Sequence, residues 1–288
     1  MTLTFGCVVL SQGTRPVELR RALDSLLSQR GAEIDVVVVG NGWVPTGQPA
    51  GVKTVALPRN DGIPAGRNAG VPHVRGQVLV FIDDDAWLSG PDVLSTMGAL
   101  LSSEPSIGLI QPRFSDPDGR PTPRQWVPRL RVGDPARSSD VCAVCEAVVV
   151  VPRSVFDAVG GWAGSFFYAH EGIDLAWRVL DAGLRVRYLG DVVVHHRAGV
   201  SPQRHPYFYR FTSRNRVLLA RRNLPVPVGV LYVTTWVVLT LVRAPGTSDR
   251  LRALQGFVEG FRAPSGPRRP MRWATVWRMT RLGRPPVI

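Results

Sequence analysis

The chain has 288 residues, of which 44% are hydrophobic and 20% charged, so it is a globular protein with room for one large domain and an appendage. Its net charge is +13, from 35 lysines and arginines against 22 acidic residues, and Lys53 is the single lysine. A GC-rich genome produces the same arginine bias, so this charge alone does not indicate phosphate binding. The three cysteines are too few for a disulfide framework and lack the partners of a zinc site, which favours a reduced, cytoplasmic setting.

The N-terminal part of the chain alternates between apolar strands and helical segments. Continuous apolar runs with β-branched residues predict strands that are buried on both faces. The predicted order is a strand at 5–10, a helix at 19–27, strands at 34–39 and 52–57, a glycine-rich segment at 60–71 that opens a helix, and a strand at 78–82. This order predicts a parallel sheet that is covered by helices.

The middle of the chain is less regular. Six prolines among charged residues predict a long surface excursion over residues 111–140. The elements predicted after it are a strand at 144–151, a short helix at 155–159, a helix around 175–180 and a last short strand at 192–194.

Three adjacent carboxylates, Asp83, Asp84 and Asp85, end the strand predicted at residues 78–82. Like charges in a cleft are costly unless a cation compensates them, and carboxylate oxygens suit Mg²⁺ or Mn²⁺. Because alternate strand residues point the same way, Asp83 and Asp85 can face one ion while Asp84 faces elsewhere. The alternative is a solvated acidic turn or the N-cap of a following helix.

The segment 225–288 differs in amino-acid composition from the rest of the chain. Residues 226–242 are apolar apart from threonines, and their length is near the lower limit of ~17–20 residues for a bilayer span. Arginines flank and follow this stretch, and Trp273 and Trp277 lie one helical turn apart. We therefore expect a hydrophobic, amphipathic and basic membrane-associated segment whose apolar helix lies in the membrane plane or is re-entrant, in preference to a full span. The alternative is a buried core helix with a solvated basic tail, and no nucleic-acid motif is visible, so we expect no nucleic-acid partner.

A family resemblance rests on four segments in one order, namely residues 8–29, residues 60–70, Asp83-Asp84-Asp85, and residues 160–178 with His195-His196. Over residues 3–224 the chain resembles the family 2 glycosyltransferases, inverting enzymes of the GT-A fold, and within them the bacterial rhamnosyltransferase- and galactofuranosyltransferase-like members. The resemblance implies an α/β fold with a mostly parallel central sheet flanked by helices, a Rossmann-like nucleotide-binding half and an acceptor half. Residues 1–224 would form this domain, and residues 225–288 the helical membrane-associated appendage.

The resemblance also implies which residues hold the donor, its metal and the acceptor. Nucleotide-sugar donors carry a diphosphate whose charge a divalent ion neutralises. In this family a late histidine adds a metal ligand; His196 matches its position best and His195 next, and the alternative for both is a strand-end turn. The implied metal ligands are Asp83, Asp85, His196 and His195, for Mg²⁺ or Mn²⁺. The implied donor-binding residues are Thr14, Arg15, Pro16, Asn41, Asn60, Arg67, Asn68, Asp83 and Asp84, and the acceptor-binding residues are Trp162, His170 and Trp177.

Inverting transfer needs a general base that deprotonates the acceptor hydroxyl. The family supplies it from an acidic pair followed by x-Asp-Leu, but the second acidic position here is Gly172. Glu171 is therefore the predicted base, and Asp174 either orients the loop or is itself the base. Asn41 stands where relatives usually carry an aspartate that reads the nucleobase, which leaves uracil, thymine and guanine open.

The sequence thus predicts a metal-dependent inverting glycosyltransferase, a hexosyl- or related transferase that is cytoplasmic and peripheral on the inner face of the cell membrane. The expected partners are a UDP-, dTDP- or GDP-linked sugar, a cell-envelope glycan or lipid-linked acceptor, and the membrane surface. Two alternatives stay open, a sugar-1-phosphate nucleotidyltransferase and a non-catalytic relative that binds glycan or membrane. The turn after the first strand has one arginine and no lysine, which argues against the first, whereas Gly172 keeps the second open.

Overall fold

The computed structural model describes residues 3–197 and 207–288 of the chain. The strands are β1 Thr4–Ser11, β2 Glu33–Asn41, β3 Lys53–Leu57, β4 Val78–Asp83, β5 Ala86–Leu88, β6 Ile107–Ser115, β7 Ser139–Asp140, β8 Val148–Pro152 and β9 Arg185–His196. The helices are α1 Pro16–Leu27, α2 Ile63–Gly70, α3 Val93–Ser103, α4 Arg153–Ala158, α5 Glu171–Asp181, α6 Phe208–Asn223, α7 Val226–Arg243, α8 Thr247–Arg262 and α9 Trp273–Arg281. Within the described residues the strands form one sheet in the order β3-β2-β1-β4-β8-β6-β9-β5, and β7 pairs with β9.

The first four strands form the parallel half of the sheet. β1 lies between β2 and β4 and pairs with both in parallel, and β3 extends the sheet beyond β2. Because parallel strands end at the same edge, Ser11, Asn41 and Asp83 are brought together there. The strands and helices predicted for this part of the chain are confirmed.

The second half makes the sheet mixed. β8 pairs antiparallel with β4, β5 pairs antiparallel with β9, and β6 pairs in parallel with β9. Helices cover both faces of the sheet. The expected α/β architecture, a central sheet flanked by helices and followed by a helical C-terminal region, is confirmed.

One prediction for the middle of the chain is wrong in part. Residues 111–115, expected in a surface excursion, belong to β6, in which Gln111 and Phe114 are fully buried. Proline is tolerated there because the pairing register with β9 shifts between Pro112 and Arg113, where the regular ladder is interrupted. The prolines therefore led to a predicted start of the surface excursion that is too early in the sequence.

The other strands of this half also differ from their predicted bounds. The last strand, expected at 192–194, is β9 and spans 12 residues, because its first part alternates half-buried arginines with buried Val186 and Tyr188. β8 begins at Val148 and not at residue 144, so Glu146 lies in the loop before it. Both differences bring new side chains to the edge of the sheet.

Two hydrophobic layers enclose the sheet. On one face α1 and α3 contribute Leu19, Leu23, Leu94 and Met97 to the core. The opposite face is covered by α4, α5 and α6 together with parts of the C-terminal helices, through Phe156, Leu175, Leu218, Tyr232 and Met279. The C-terminal helices therefore contribute to the main core.

Helix α8 packs along α6, and the two helices run in the same direction. A Cβ atom on Gly256 would lie 2.0 Å from the carbonyl oxygen of Arg210, and one on Gly260 would lie 2.6 Å from Cβ of Val217. Only glycine allows so close an approach of two backbones. Among the described helices α7, which connects this pair, alone is long and apolar enough to cross a membrane by length and composition. The expected division at residue 224 stays a prediction.

A buried ionic network joins α5 to the end of α6. Asp174 is fully buried and accepts hydrogen bonds from Arg178 Nη2 at 2.5 Å, Arg222 Nε at 2.9 Å and Asn223 Nδ2 at 2.7 Å. Arg222 in turn donates to the carbonyl oxygen of Ser265 at 2.7 Å, which draws in the segment after α8. The network satisfies both oxygens of a carboxylate that has no access to water.

We predict that Asp174→Asn lowers the free energy of unfolding by about 3–5 kcal/mol, because two buried arginines lose their counter-charge. Asp24→Asn is the matched control, since Asp24 forms an exposed i,i+4 pair with Arg20, and it should cost less than about 1 kcal/mol. Urea unfolding of both variants measures the two values. Equal, small losses would show that the buried network does not stabilise the fold.

Candidate functional site

The acidic motif lies where β4 turns into β5, and the end of β9 meets it there. The register pairs Ala86 with His196, and the Asp83 N–H donates to the carbonyl oxygen of Ala147 at 2.9 Å. Asp83, Asp85 and His196 each offer one ligand atom, and these atoms all lie within 4.8 Å of one another. His196 Nε2 is 3.3 Å from Asp85 Oδ1. The three side chains therefore form a group that could hold a metal ion.

The electrostatics of this group fit a divalent cation. Burial opposes the charged form of His196, but the hydrogen bond to Asp85 and the charges of Asp85 and Asp83 raise its pKa. Burial likewise opposes ionisation of Asp85, but His196 and Arg15 lower its pKa. Two carboxylates and an imidazole are a donor set that Mn²⁺ or Mg²⁺ accepts. The side chains at this edge thus favour a cation between them.

His195 lies outside this group. Adjacent strand residues point to opposite faces, and His195 pairs with Trp87, its ring 5.5 Å from the indole. Of the two histidines that the sequence offered as metal ligands, the structure brings only His196 to the aspartates.

Asp84 points to the turn after β1. Its carboxylate accepts hydrogen bonds from Ser11 Oγ at 2.6 Å and from Arg15 Nη1 at 3.3 Å, and Arg15 also pairs with Asp85. Burial raises the pKa of Asp84 to about 6, although the Ser11 hydrogen bond and Arg15 oppose the rise. Thr14 and Pro16 flank Arg15 at the start of α1 and are exposed. The predicted donor residues of this turn therefore border the acidic motif.

Asn41 and Asn60 shape the loop before α2. Asn41 Nδ2 donates to Asn60 Oδ1 at 2.9 Å and to the carbonyl oxygen of Gly62 at 3.2 Å, and its Oδ1 accepts from the Asp61 N–H at 2.9 Å. Gly62 has a φ of +88°, and a Cβ there would lie 2.6 Å from the backbone of Phe167. Asn41 is buried and engaged in the loop, whereas Asn60 is exposed. Of the two, Asn60 is the one a ligand can reach.

Asn68 and Trp162 hold a second loop. Asn68 Nδ2 donates to the carbonyl oxygen of Trp162 at 2.8 Å, and the Trp162 N–H donates to Asn68 Oδ1 at 3.0 Å. The Trp162 indole is buried edge-on against Phe81. Both residues were predicted to contact ligands, which stays a prediction, and the structure shows them hydrogen-bonded to each other.

Arg67 is the buried centre of the site. Its Nη2 donates to Asp83 Oδ1 at 2.6 Å and to the carbonyl oxygen of Glu146 at 2.8 Å, and the guanidinium lies 5.1 Å from the centre of the Trp162 ring. Burial opposes its charge, but Asp83, Glu171 and Glu146 raise its pKa. This cation therefore ties the acidic motif to the two glutamates.

Glu171 and Glu146 form a carboxylate pair beside Arg67. Glu171 is the first residue of α5 and is 2% exposed; burial and the neighbouring Glu146 raise its pKa to about 8, against the opposing charge of Arg67. Burial also raises the pKa of Glu146, which Arg67 and the Gly172 N–H oppose. Glu146 is not among the site residues predicted from the sequence. It carries the same signal as Asp83, namely an acidic residue beside an apolar strand run.

His170 and Trp177 lie on the other side of α5. They line a cavity of about 190 Å³ together with Arg216, Trp236 and Arg284. His170 has a left-handed backbone, with φ of +73°, and burial together with Arg216 and Arg284 lowers its pKa well below the usual value. These two predicted acceptor residues therefore share one cavity, and Trp162 does not line it.

Comparison with known proteins identifies the class to which this fold and site belong. The family model for glycosyl transferase family 2 matches residues 14–160, which is more than half of the chain. The chain therefore belongs to glycosyl transferase family 2.

Two curated relatives are similar in sequence. One is an uncharacterised protein, y4gI, of Sinorhizobium fredii, 30% identical over 194 residues that cover 57% of this chain and 21% of the relative. The other is the pre-mycofactocin glycosyltransferase of Mycobacterium tuberculosis, 26% identical over 191 residues that cover 62% of this chain and 39% of the relative. The chain thus spans well under half the length of these relatives.

Solved glycosyltransferase structures share the fold. GalNAc-T7 with UDP, GalNAc and Mn²⁺ matches with a TM-score of 0.63 at 16% identity, over 91% of this chain and 55% of that one. Staphylococcus aureus TarS 1–349 with UDP-GlcNAc matches with a TM-score of 0.62 at 13% identity, over 92% and 82%. The mannosyltransferase PcManGT of Pyrobaculum calidifontis with GDP-Man and Mn²⁺ matches with a TM-score of 0.55 at 15% identity, over 92% and 76%. These likenesses establish the GT-A fold.

We predict that nucleoside diphosphate binding depends on Mn²⁺ held by the aspartate–histidine group. Asp85→Ala and His196→Ala should each weaken the Mn²⁺-dependent affinity by more than about tenfold, because each removes a ligand from the ion. Calorimetric titration with UDP, dTDP and GDP, in Mn²⁺ and in EDTA, measures the effect.

His195→Ala is the matched control for His196→Ala and should bind as the wild type does, because His195 points away from the aspartates. Equal affinity of the wild type in Mn²⁺ and in EDTA for every nucleotide would contradict the prediction.

Proposed function

We propose that this protein transfers a sugar, with inversion, from a nucleotide-diphosphate sugar to a hydroxyl group of a cell-envelope glycan or lipid-linked acceptor. The observation that carries this proposal is the convergence of Asp83, Asp85 and His196 at the edge where the parallel strands end. Rhamnose and galactofuranose are the sugars we put forward, with UDP, dTDP or GDP as the nucleotide. The solved neighbours that hold UDP, UDP-GlcNAc or GDP-Man support a donor of this class.

The residues at the strand edge suit a diphosphate. A divalent ion held by Asp83, Asp85 and His196 would supply charge neutralisation for the departing diphosphate. Arg15 adds an exposed cation beside Asp84 and Asp85, and Asn60 offers an accessible amide on the loop before α2. We assign donor binding to this face, with Asn41 setting the loop conformation.

The general base is an acidic residue at the start of α5, and we propose Glu171. Its carboxylate belongs to the cluster around Arg67, and its buried Oε2 atom has no hydrogen-bond partner among residues 3–197 and 207–288. Asp174, the alternative, accepts four side-chain hydrogen bonds from three residues, so both of its oxygens are already engaged. The hydrogen bonding of the two residues therefore favours Glu171 over Asp174 as the general base.

We predict that Glu171→Gln lowers turnover by a factor of ~10²–10⁴ while sparing donor binding, because the amide keeps the shape of the carboxylate but cannot accept the proton. Transfer and donor hydrolysis are measured with a panel of UDP-, dTDP- and GDP-sugars, and donor affinity by calorimetry. Near-normal turnover of Glu171→Gln, together with an inactive but folded Asp174→Asn, would give the role to Asp174. Absence of both transfer and hydrolysis in the wild type, with every donor, would contradict the proposed function.

The cavity beside α5 suits the acceptor. Arg216 and Arg284 give it positive charge, and Trp177, Tyr232 and Trp236 give it aromatic walls. Burial lowers the pKa of Arg216 to about 10, and its guanidinium lies 3.7 Å from the centre of the Trp236 ring. An acceptor that carries an anionic group beside an apolar portion fits these walls, which supports a lipid-linked molecule.

We also propose that the C-terminal helices bind the inner surface of the cell membrane. The exposed face of α7 repeats every four residues and carries Val226, Val230 and Val238, with Leu231 beside it. Helix α8 exposes Leu251, Leu254, Val258 and Phe261, and α9 exposes Trp273 and Trp277 among arginines. Apolar faces bordered by cations match an anionic lipid surface.

We predict that the wild type floats with anionic liposomes at low salt, and that the Leu231→Asp, Val238→Asp double variant does not, because it charges the apolar face of α7. Binding should weaken with neutral lipid and with added salt, which screens the arginines. Val44→Asp is the matched control, an equally exposed valine far along the chain from α7.

Point variants serve this test better than removal of everything after Leu224, because Tyr232, Met271 and Met279 belong to the main core. A wild type that stays in the soluble fraction with anionic liposomes at low salt would contradict membrane binding.

A further inference from the structure

Atoms of the loop before β8 occupy the space that a side chain at position 172 would need. Gly172 lies in the first turn of α5, next to Glu171. A Cβ atom on Gly172 would lie 2.5 Å from Glu146 Oε1, 2.6 Å from the carbonyl oxygen of Val144 and 2.7 Å from Glu146 Cδ. The carboxylate of Glu146 therefore occupies the space into which a side chain at position 172 would extend.

The same carboxylate is fixed by the backbone at that position. The Gly172 N–H donates to Glu146 Oε1 at 2.6 Å, a short charge-assisted hydrogen bond at the positive end of a helix. Glu146 is half-buried, whereas Glu171 beside it is 2% exposed. Of the two residues, Glu146 is therefore the more exposed.

The backbone around Glu146 is also part of the candidate metal site. Its carbonyl oxygen and Asp83 Oδ1 accept hydrogen bonds from the same Arg67 nitrogen, at 2.8 Å and 2.6 Å. The carbonyl oxygen of the next residue, Ala147, accepts the Asp83 N–H at 2.9 Å. Glu146 is thus the sequence neighbour of a residue that is hydrogen-bonded to Asp83, at the end of β4 where the donor would bind.

We infer that Glu146 supplies, from the loop before β8, the carboxylate that a residue at position 172 would otherwise supply, and that Glu146 and Glu171 together form the base that takes the proton of the acceptor hydroxyl. This inference rests on the proposed function. In the step, the acceptor O–H bond breaks and its proton goes to the Glu146–Glu171 pair, while the acceptor oxygen bonds to the anomeric carbon. The bond from that carbon to the diphosphate oxygen breaks, and its electron pair leaves with the nucleoside diphosphate. Glu171, packed beside Glu146, is the second member of the pair and holds the charge around Arg67 in balance.

The first test removes the basicity of Glu146 and keeps its shape. Glu146→Gln retains an oxygen that can accept the Gly172 N–H, so the loop should fold as before. Its turnover should fall by ~10²–10⁴, with donor affinity within about twofold of the wild type. A Glu146→Gln enzyme with turnover within about threefold of the wild type would overturn the inference.

The second test moves the carboxylate from position 146 to position 172. Glu146→Gly removes it and gives the loop a glycine, so that the Val144 carbonyl oxygen, 2.6 Å from a Cβ at position 172, can move away. The Glu146→Gly, Gly172→Asp double variant then rebuilds the carboxylate from α5. The double variant should regain at least about tenfold in turnover over Glu146→Gly, which a purely structural role of Glu146 would not produce. A folded double variant no faster than Glu146→Gly would overturn the inference.

The midpoint temperature of thermal unfolding tests the shared space of positions 146 and 172 without an activity assay. Gly172→Asp alone forces a side chain against Glu146 and should unfold at a lower temperature than the double variant. Equal midpoints for the two variants would show that the positions do not share one space, and the inference would fail. A wild type that transfers sugar while Glu146→Gln remains active would refute only this inference, whereas a wild type inactive with every donor would refute the proposed function.

Discussion

The Arg67 guanidinium lies at 1% exposure between the end of β4, the loop before β8 and the start of α5. A buried cation costs several kcal/mol unless charges of opposite sign surround it. Asp83, Glu146 and Glu171 provide those charges, and Arg67 in turn opposes the rise in pKa that burial causes in each of them. Three chain segments that are far apart in sequence are thereby held in one cleft. The positions of the candidate metal ligand and of the two glutamates are consequences of this single charge balance.

Much of the parallel half could be predicted from local pattern. The apolar runs before Ser11, Asn41 and Asp83 define strands, and parallel strands place their ends at one edge whatever the loops between them do. The spacing of aspartates on β4 then predicts which two point together, and the structure brings Asp83, Asp85 and His196 within ligand distance. Neighbouring positions on β9 also explain why only one of the two histidines joins them.

The remaining features depend on contacts that no local pattern contains. From the sequence, Asp174 is a candidate for the general base at the start of α5. Its hydrogen-bond partners Arg222 and Asn223, however, come from the end of α6. Glu146 is a single acidic residue in a short loop, and its importance appears only when α5 is packed against that loop. The length of β9 was missed because arginines, which are poor indicators of a strand, occupy its half-buried positions. Long-range pairing decides each of these cases.

The parallel packing of α6 and α8 through Gly256 and Gly260 restricts how α7 can meet a bilayer. Helix α7 starts where α6 ends and finishes where α8 begins, so it runs back along the pair that it connects. If α7 crossed the hydrocarbon, either its two neighbours would have to separate or their arginines would have to enter the lipid. A helix held in this way can touch a membrane only along its side. The cleft would then keep one fixed height above the surface, and only acceptors whose reactive hydroxyl reaches that height would be glycosylated.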